Sequence, residues 1–286
     1  MDQKIIDLYN EYIHSALPRR EFMARLVRLA GGVAAASAVL PLIEPNYAHS
    51  RQVDPTDNRL VTGYLSYKSP GGEVRSYYAR PRDNNRMPAI LVIHENRGLN
   101  EHIEDVARRA AVAGYFALAP DGLSAAGGAP QDQEAARDLF AKTDRVRIAS
   151  DIVAGVPFLA THQQVNGKIG TVGFCYGGGM ALRCAVDAAG VGAAVSFYGA
   201  ALPADDVAKL KAPVMLQYAG TDERINAMIP EFTKALDAQK VPYSVNMYPG
   251  TQHGFHNDSS GARYDEAAAK LAWRRTIGFF DSYLKV

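Results

Sequence analysis

The chain has 286 residues, of which 48% are hydrophobic, and this suits one large α/β domain with a buried core rather than a disordered chain. The chain has 31 Lys and Arg residues and 30 Asp and Glu residues, a formal net charge of +1. It therefore lacks the strongly basic character of nucleic-acid-binding proteins. The two cysteines, Cys175 and Cys184, form no C-x-x-C pair, which excludes zinc-ribbon and thioredoxin-type sites.

Residues 1–50 differ in pattern from the rest of the chain. A short amphipathic helix is predicted over residues 2–14. Arg19 and Arg20 then precede a mildly apolar stretch at residues 29–43, an order that resembles a twin-arginine export signal. That stretch is too short for a stable membrane span.

Two interpretations of this segment remain open. A removed signal would make the protein periplasmic, although the best cleavage candidate, "NYA" at 46–48, lacks a small residue at its first position. An uncleaved helical extension would pack on the domain or on a second subunit, leave the protein in the cytoplasm and allow a homodimer. The predicted division is therefore an extension or signal at 1–50 and a catalytic domain at 51–286.

From about residue 58 the pattern alternates between strands and helices. The predicted strands cover residues 60–67, 74–81, 88–94, 115–120, 168–174, 193–199, 212–220 and 243–250. The predicted helices cover residues 101–114, several segments between 132 and 163, and residues 176–190, 226–239 and 265–286. This alternation predicts an α/β fold with a mostly parallel central sheet and helices on both faces. Ligand sites in such folds lie at the carboxyl ends of the strands.

Polar residues follow several of these strands. Cys175 occupies the central position of "GFCYG", a G-x-S-x-G nucleophile elbow in which cysteine replaces serine. Asp222, His253 and Glu95 follow three other predicted strands. The chain order of nucleophile, acid and histidine is that of the α/β-hydrolase fold, which predicts a catalytic triad.

The predicted roles follow from the chemistry of a thiol. A cysteine thiol has an unperturbed pKa of about 8.5, and a helix N-terminus favours the thiolate. His253 is predicted to take the proton of Cys175, with Asp222 orienting its imidazole. The backbone N–H groups of Tyr176 and Asn96 are the predicted oxyanion donors.

Four motifs together resemble the dienelactone hydrolase family over about residues 58–286: "HENRGLNEHIEDVARRAAVAGYFALAPDG", "GFCYGGG", "AGTDERI" and "GTQHGFHN". The resemblance implies a Cys-His-Asp triad and a Glu95 that holds or deprotonates the resting Cys175 thiol. The family also binds a substrate carboxylate through arginines. One of them follows the triad histidine by four residues, where this chain has Asn257. Arg97 and Tyr198 are instead predicted to contact substrate.

The function so implied is hydrolysis of a small-molecule ester or lactone through an acyl-cysteine intermediate, with no cofactor and no nucleic-acid partner. A thioesterase remains an alternative, as does a non-catalytic ligand-binding or thiol redox-sensing protein. The complete triad favours the hydrolase, because a sensor has no need of Asp222 behind His253. The histidine spacing at 253–256 is typical of metal ligands, but no carboxylate or cysteine cluster completes it, so no metal site is predicted.

Overall fold

An eight-stranded sheet forms the centre of the protein in a computed structural model, which describes residues 1–15, 17–44 and 51–286. The cleavage candidate at 46–48 lies outside the described residues. The strands are β1 (Leu60–Ser69), β2 (Gly72–Pro81), β3 (Met87–Ile93), β4 (Phe116–Pro120), β5 (Val165–Phe174), β6 (Val191–Phe197), β7 (Val214–Ala219) and β8 (Tyr243–Tyr248).

The spatial order of the strands is β1-β2-β4-β3-β5-β6-β7-β8. The β1–β2 and β2–β4 pairs are antiparallel, and every other neighbouring pair is parallel. The prediction of a mostly parallel sheet is confirmed. The parallel strands bring their carboxyl ends to one edge, where the polar residues singled out above lie.

Helices cover both faces of the sheet, as predicted. One face packs against α4 (Glu101–Val112) and α12 (Glu266–Leu284). The other packs against helices that include α5 (Gln133–Lys142), α6 (Arg145–Val153), α7 (Gly155–Thr161), α8 (Tyr176–Asp187) and α11 (Ile229–Ala238), while α9 (Ala204–Val207) and α10 (Glu223–Asn226) are single turns. In β3 all residues are buried, with Ile90 and Val92 in the first core and Leu91 and Ile93 in the second.

Three helices precede the sheet: α1 (Gln3–His14), α2 (Arg19–Ala30) and α3 (Val33–Ile43). The apolar stretch at 29–43 is interrupted, because Gly31 and Gly32 have φ values of 83° and 146° and the axes of α2 and α3 differ by 111°. Among the described residues, no single helix has the length and apolar character needed to cross a membrane; α2 and α3 meet that test only as a bent pair.

The N-terminal helices contact the α/β part through aromatic and charged groups. Tyr12 stacks on Phe22 at 4.2 Å between ring centroids, and its hydroxyl donates to Glu134 at 2.8 Å. Arg19, the first residue of the arginine pair, forms an ion pair with the same Glu134 at 2.8 Å. These contacts join α1 to α2 and hold both helices against α5.

Two glycines allow the turn between β5 and α8 to close. A Cβ on Gly173 would overlap the carbonyl of Gly177, and this neighbour is backbone that cannot rotate away. We expect Gly173→Ala to destabilise the protein by at least about 1–3 kcal/mol, as overpacked core substitutions do. The matched control is Gly278→Ala in the middle of α12, where nothing lies within 4 Å of the added Cβ. It should gain up to about 1 kcal/mol from helix propensity. Urea unfolding of both variants measures this, and equal stabilities would contradict the packing account.

Candidate active site

Cys175 lies on a strained turn between β5 and α8. Its backbone has φ 55° and ψ −115°, a combination that non-glycine residues rarely adopt. The Cys175 N–H donates to the Phe197 carbonyl at 3.0 Å, which ties the turn to β6. Cys184 lies buried within α8, and both cysteines are free thiols. The turn therefore presents Sγ of Cys175 above the carboxyl edge of the sheet, as a nucleophile elbow requires.

Asp222 and His253 meet at the same edge, after β7 and β8. His253 Nδ1 donates to Asp222 Oδ2 at 2.5 Å, and both side chains are buried. The other carboxylate oxygen of Asp222 accepts from the Ile225 N–H at 3.4 Å, so the residue also caps α10. Burial alone would raise the pKa of Asp222, but the hydrogen bond and charge of His253 lower it below its ordinary value. The carboxylate thus stays ionised beside the imidazole.

The charges around His253 favour its protonated form. Complete burial acts to lower its pKa, but the charge and hydrogen bond of Cys175, together with Asp222, outweigh burial and raise the pKa of His253 to about 9. The geometry therefore favours a protonated His253 beside an ionised Asp222 near neutral pH.

Glu95 is buried after β3, and Asn257 Nδ2 donates to its Oε2 at 2.9 Å. Asn257 Oδ1 in turn accepts from the Ser259 N–H at 3.0 Å. The position that the family resemblance associates with an arginine therefore holds the Glu95 carboxylate in this chain. The direct effect of Glu95 on the Cys175 thiol stays a prediction.

A cavity of about 380 Å³ opens beside Cys175. Tyr198, predicted to contact substrate, lines it, and the Tyr198 hydroxyl is buried without a hydrogen-bond partner among the described residues. Three guanidinium groups also line it, from Arg145, Arg183 and Arg224. Arg183 is paired with Asp206 at 2.5 Å. The cavity is thus small and positively charged.

Arg97 lies elsewhere. Its Nη2 donates to the Tyr9 hydroxyl and its Nη1 to Asn96 Oδ1, each at 3.3 Å. The chain after β3 directs this guanidinium group toward α1, so Arg97 lines a separate cavity with Tyr9 and does not take the predicted substrate-contacting position. Sequence reasoning missed Arg145, which stands in no motif, and it did not single out Arg224, although that residue belongs to "AGTDERI"; the fold brings α6 and α10 to this cavity.

A larger cavity of about 1370 Å³ lies on the face formed by α6, α7 and α8. It shares Arg145, Tyr176, Met180 and Arg183 with the smaller cavity, but its lining does not include Cys175. Chemistry at the thiol therefore belongs to the smaller cavity.

His14, the last residue of α1, reaches the centre of the site. Its Nε2 lies 3.2 Å from Cys175 Sγ and 3.2 Å from His253 Nε2. The preceding carbonyl, of Ile13, accepts from Asn96 Nδ2 at 2.6 Å. No sequence signal pointed to His14, because 161 residues separate it from Cys175 and 239 from His253.

The model of the dienelactone hydrolase family matches residues 74–284. The chain belongs to the dienelactone hydrolase family, a family of hydrolases. A relative from Methylorubrum extorquens, named as a carboxymethylenebutenolidase, is 32% identical over 79% of this chain and 82% of its own length. A Bradyrhizobium relative, named as a 2-oxo-3-(5-oxofuran-2-ylidene)propanoate lactonase, is 33% identical over 72% of this chain and 88% of its own.

Solved structures agree with the fold. A Klebsiella pneumoniae protein named as a dienelactone hydrolase matches with a TM-score of 0.70 and 28% identity, over 79% of this chain and all of its own.

Among the sequence relatives, the hydrolase fragment YghX of Escherichia coli is 51% identical over 38% of this chain and 96% of its own length. The α/β-hydrolase fold predicted from the sequence is confirmed. The family model begins after α3, so His14 lies outside it.

The charge balance at His253 predicts a distinct titration. Histidine NMR signals should show His253 losing its proton near pH 9, because its pKa is raised to about 9. Cys175→Ser removes the sulfur atom that helps to raise this pKa, and it should move the titration of His253 to lower pH by about one unit or more. His162→Ala serves to assign a histidine signal remote from the thiol. A His253 titration that Cys175→Ser leaves unchanged would contradict the proposed pairing.

Proposed function

We propose that the protein hydrolyses a small, negatively charged carboxylic ester or lactone through a covalent acyl-cysteine intermediate. The observation that carries this proposal is the grouping of Asp222, His253 and Cys175: His253 donates to Asp222 at 2.5 Å, its other side lies within 4.8 Å of Cys175 Sγ, and the thiol stands on a strained strand-to-helix turn. The names of the relatives, carboxymethylenebutenolidase and lactonase, support the same substrate class.

The first half of the reaction acylates the thiol. The Cys175 thiolate attacks the acyl carbon, and the carbonyl oxygen becomes an oxyanion. The Tyr176 N–H, at the start of α8, and the backbone N–H of Asn96 stabilise this oxyanion, helped by the positive end of the helix. His253 then gives its Nε2 proton to the departing alkoxide while its Nδ1–H remains bonded to Asp222.

The second half releases the acid. A water molecule attacks the thioester, and neutral His253 takes one proton from that water. Collapse of the second oxyanion breaks the C–S bond and regenerates the thiolate beside the imidazolium. Asp222 keeps the imidazole oriented through both halves, and Glu95, held by Asn257, tunes the resting thiol.

The cavity supports the choice of an anionic substrate. Arg145 and Arg224 line it without an intervening carboxylate ion pair among the described residues, whereas Arg183 is already paired with Asp206. Tyr198 also lines the cavity, and its buried hydroxyl has no hydrogen-bond partner among the described residues. A volume of about 380 Å³ suits a small molecule. In this proposal Arg145 and Arg224 take over the carboxylate-binding role that the resemblance assigns to arginines at other positions.

The test compares three substrates: a dienelactone that carries a carboxylate, the neutral ester p-nitrophenyl acetate and an acyl thioester. Wild type should hydrolyse the dienelactone with the highest kcat/KM, and Cys175→Ala should lower every rate at least about 1,000-fold, since it removes the nucleophile. Arg224→Met should raise KM for the dienelactone about tenfold, the worth of one charged hydrogen bond, and leave p-nitrophenyl acetate unchanged.

The matched control for Arg224→Met is Arg274→Met, which removes an exposed arginine on α12 outside the cavity. It should change neither substrate. Equal losses on the charged and the neutral ester in Arg224→Met would contradict the anionic substrate. Rates that Cys175→Ala leaves unchanged would contradict the acyl-cysteine route.

A further inference from the structure

The nucleophile and the histidine base share their surroundings with a third metal-binding side chain, His14. We propose that His14, Cys175 and His253 together bind a transition-metal ion such as Zn²⁺, which holds the protein in a state without a free nucleophile. This site goes beyond the proposed hydrolysis, because its ligands bind metal whether or not an ester is turned over.

The spacing of the three ligand atoms fits one ion. Cys175 Sγ and the Nε2 atoms of His14 and His253 lie within 4.8 Å of one another, and the two measured separations from His14 are 3.2 Å. Around a tetrahedral Zn²⁺, with Zn–S near 2.3 Å and Zn–N near 2.0–2.1 Å, such atoms lie about 3.3–3.6 Å apart. The two separations from His14 differ from these values by a few tenths of an ångström, and the third lies within 4.8 Å.

Both histidines are already oriented as metal ligands. The Nδ1–H of His14 donates to the Asn10 carbonyl at 2.8 Å, and that of His253 donates to Asp222 at 2.5 Å. Each bond fixes the tautomer and turns Nε2 toward the centre of the cluster. A backbone carbonyl and a carboxylate are the outer partners that metal-bound histidines usually have.

The three inward-facing atoms have too few protons to bond to one another. Both Nδ1 atoms carry a proton. Only one further proton is then available to Cys175 Sγ and the two Nε2 atoms, and it belongs to the catalytic pair of Cys175 and His253. That proton can form a hydrogen bond in only one of the two 3.2 Å contacts of His14. In the other contact, two lone pairs face each other without a proton between them. A divalent cation would accept all three electron pairs at once, and the one displaced proton would pass to solvent.

The surroundings set the character of the fourth position. His14 and Cys175 line the cavity of about 380 Å³, so the ion can enter there and keep one open coordination site. Arg145 and Arg224 in the same cavity favour an anion over water as the fourth ligand.

The sequence predicted no metal site because His253 and His256, although spaced like metal ligands, have no carboxylate or cysteine cluster beside them in the sequence. His256 lies outside the cluster, with its ring buried against Phe174 at 4.9 Å between centroids. Its place beside His253 is taken by His14, which only the packing of α1 brings to the cluster.

The experiment titrates the full, chelator-treated chain with Co²⁺, whose bond to a thiolate gives a charge-transfer absorption band. Wild type should show the band, Cys175→Ser should lack it, and His14→Gln should bind at least about 100-fold more weakly, since even an outer partner is worth 10–100-fold in affinity. The control His162→Gln replaces a histidine that packs on Phe116 away from the site, and it should bind as wild type does.

A second readout does not depend on turnover. Zn²⁺ should slow the reaction of Cys175 with iodoacetamide in wild type and in His162→Gln, but not in His14→Gln. Circular dichroism checks that His14→Gln is folded. A wild-type band that His14→Gln leaves intact, or no band at all, would overturn the three-ligand site. A normal band in a protein that cleaves no ester would overturn the hydrolase proposal and leave the metal site standing.

Discussion

The active site depends on the backbone at Cys175, which is held at φ 55° between a buried strand and a helix. Such a conformation costs about 1–3 kcal/mol, and it persists only where the surroundings determine it. Here Gly173 and Gly177 allow the backbones of β5, α8 and β3 to approach closely, and the Phe197 carbonyl fixes the Cys175 N–H. The same packing raises the thiol above the sheet and starts a helix directly behind it.

Burial and charge act in opposite directions at His253. Removal from water disfavours the imidazolium, whereas Cys175 and Asp222 favour it, and the charges prevail. The imidazole of His14 is also buried, but it has a cationic neighbour and no carboxylate bonded to its ring, so the pKa of His14 is lowered instead. One histidine is thus suited to give and take a proton, and the other to offer an electron pair.

Much of the fold could be predicted from the sequence, because buried parallel strands are continuous apolar runs and their helices alternate with them. Element ends were less accurate: α8 ends at Asp187 rather than near 190, and the stretch at 29–43 is broken at Gly31 and Gly32. Cys175, Asp222 and His253 could be brought together by reasoning, since each follows a strand. His14 and Arg145 could not, because they reach the site through helix packing, which leaves no local signal. Arg224 stands two residues after Asp222 in "AGTDERI", but the motif alone does not show that its side chain lines the cavity.

The central claim is that Cys175 carries the acyl group during turnover. The most direct measurement is intact-protein and peptide mass spectrometry after rapid acid quenching of wild type mixed with p-nitrophenyl acetate. The account predicts a gain of one acetyl group per chain, located on the peptide that contains Cys175 and absent from Cys175→Ala. Hydrolysis without any acylated peptide, or an acyl group carried on another residue, would contradict it.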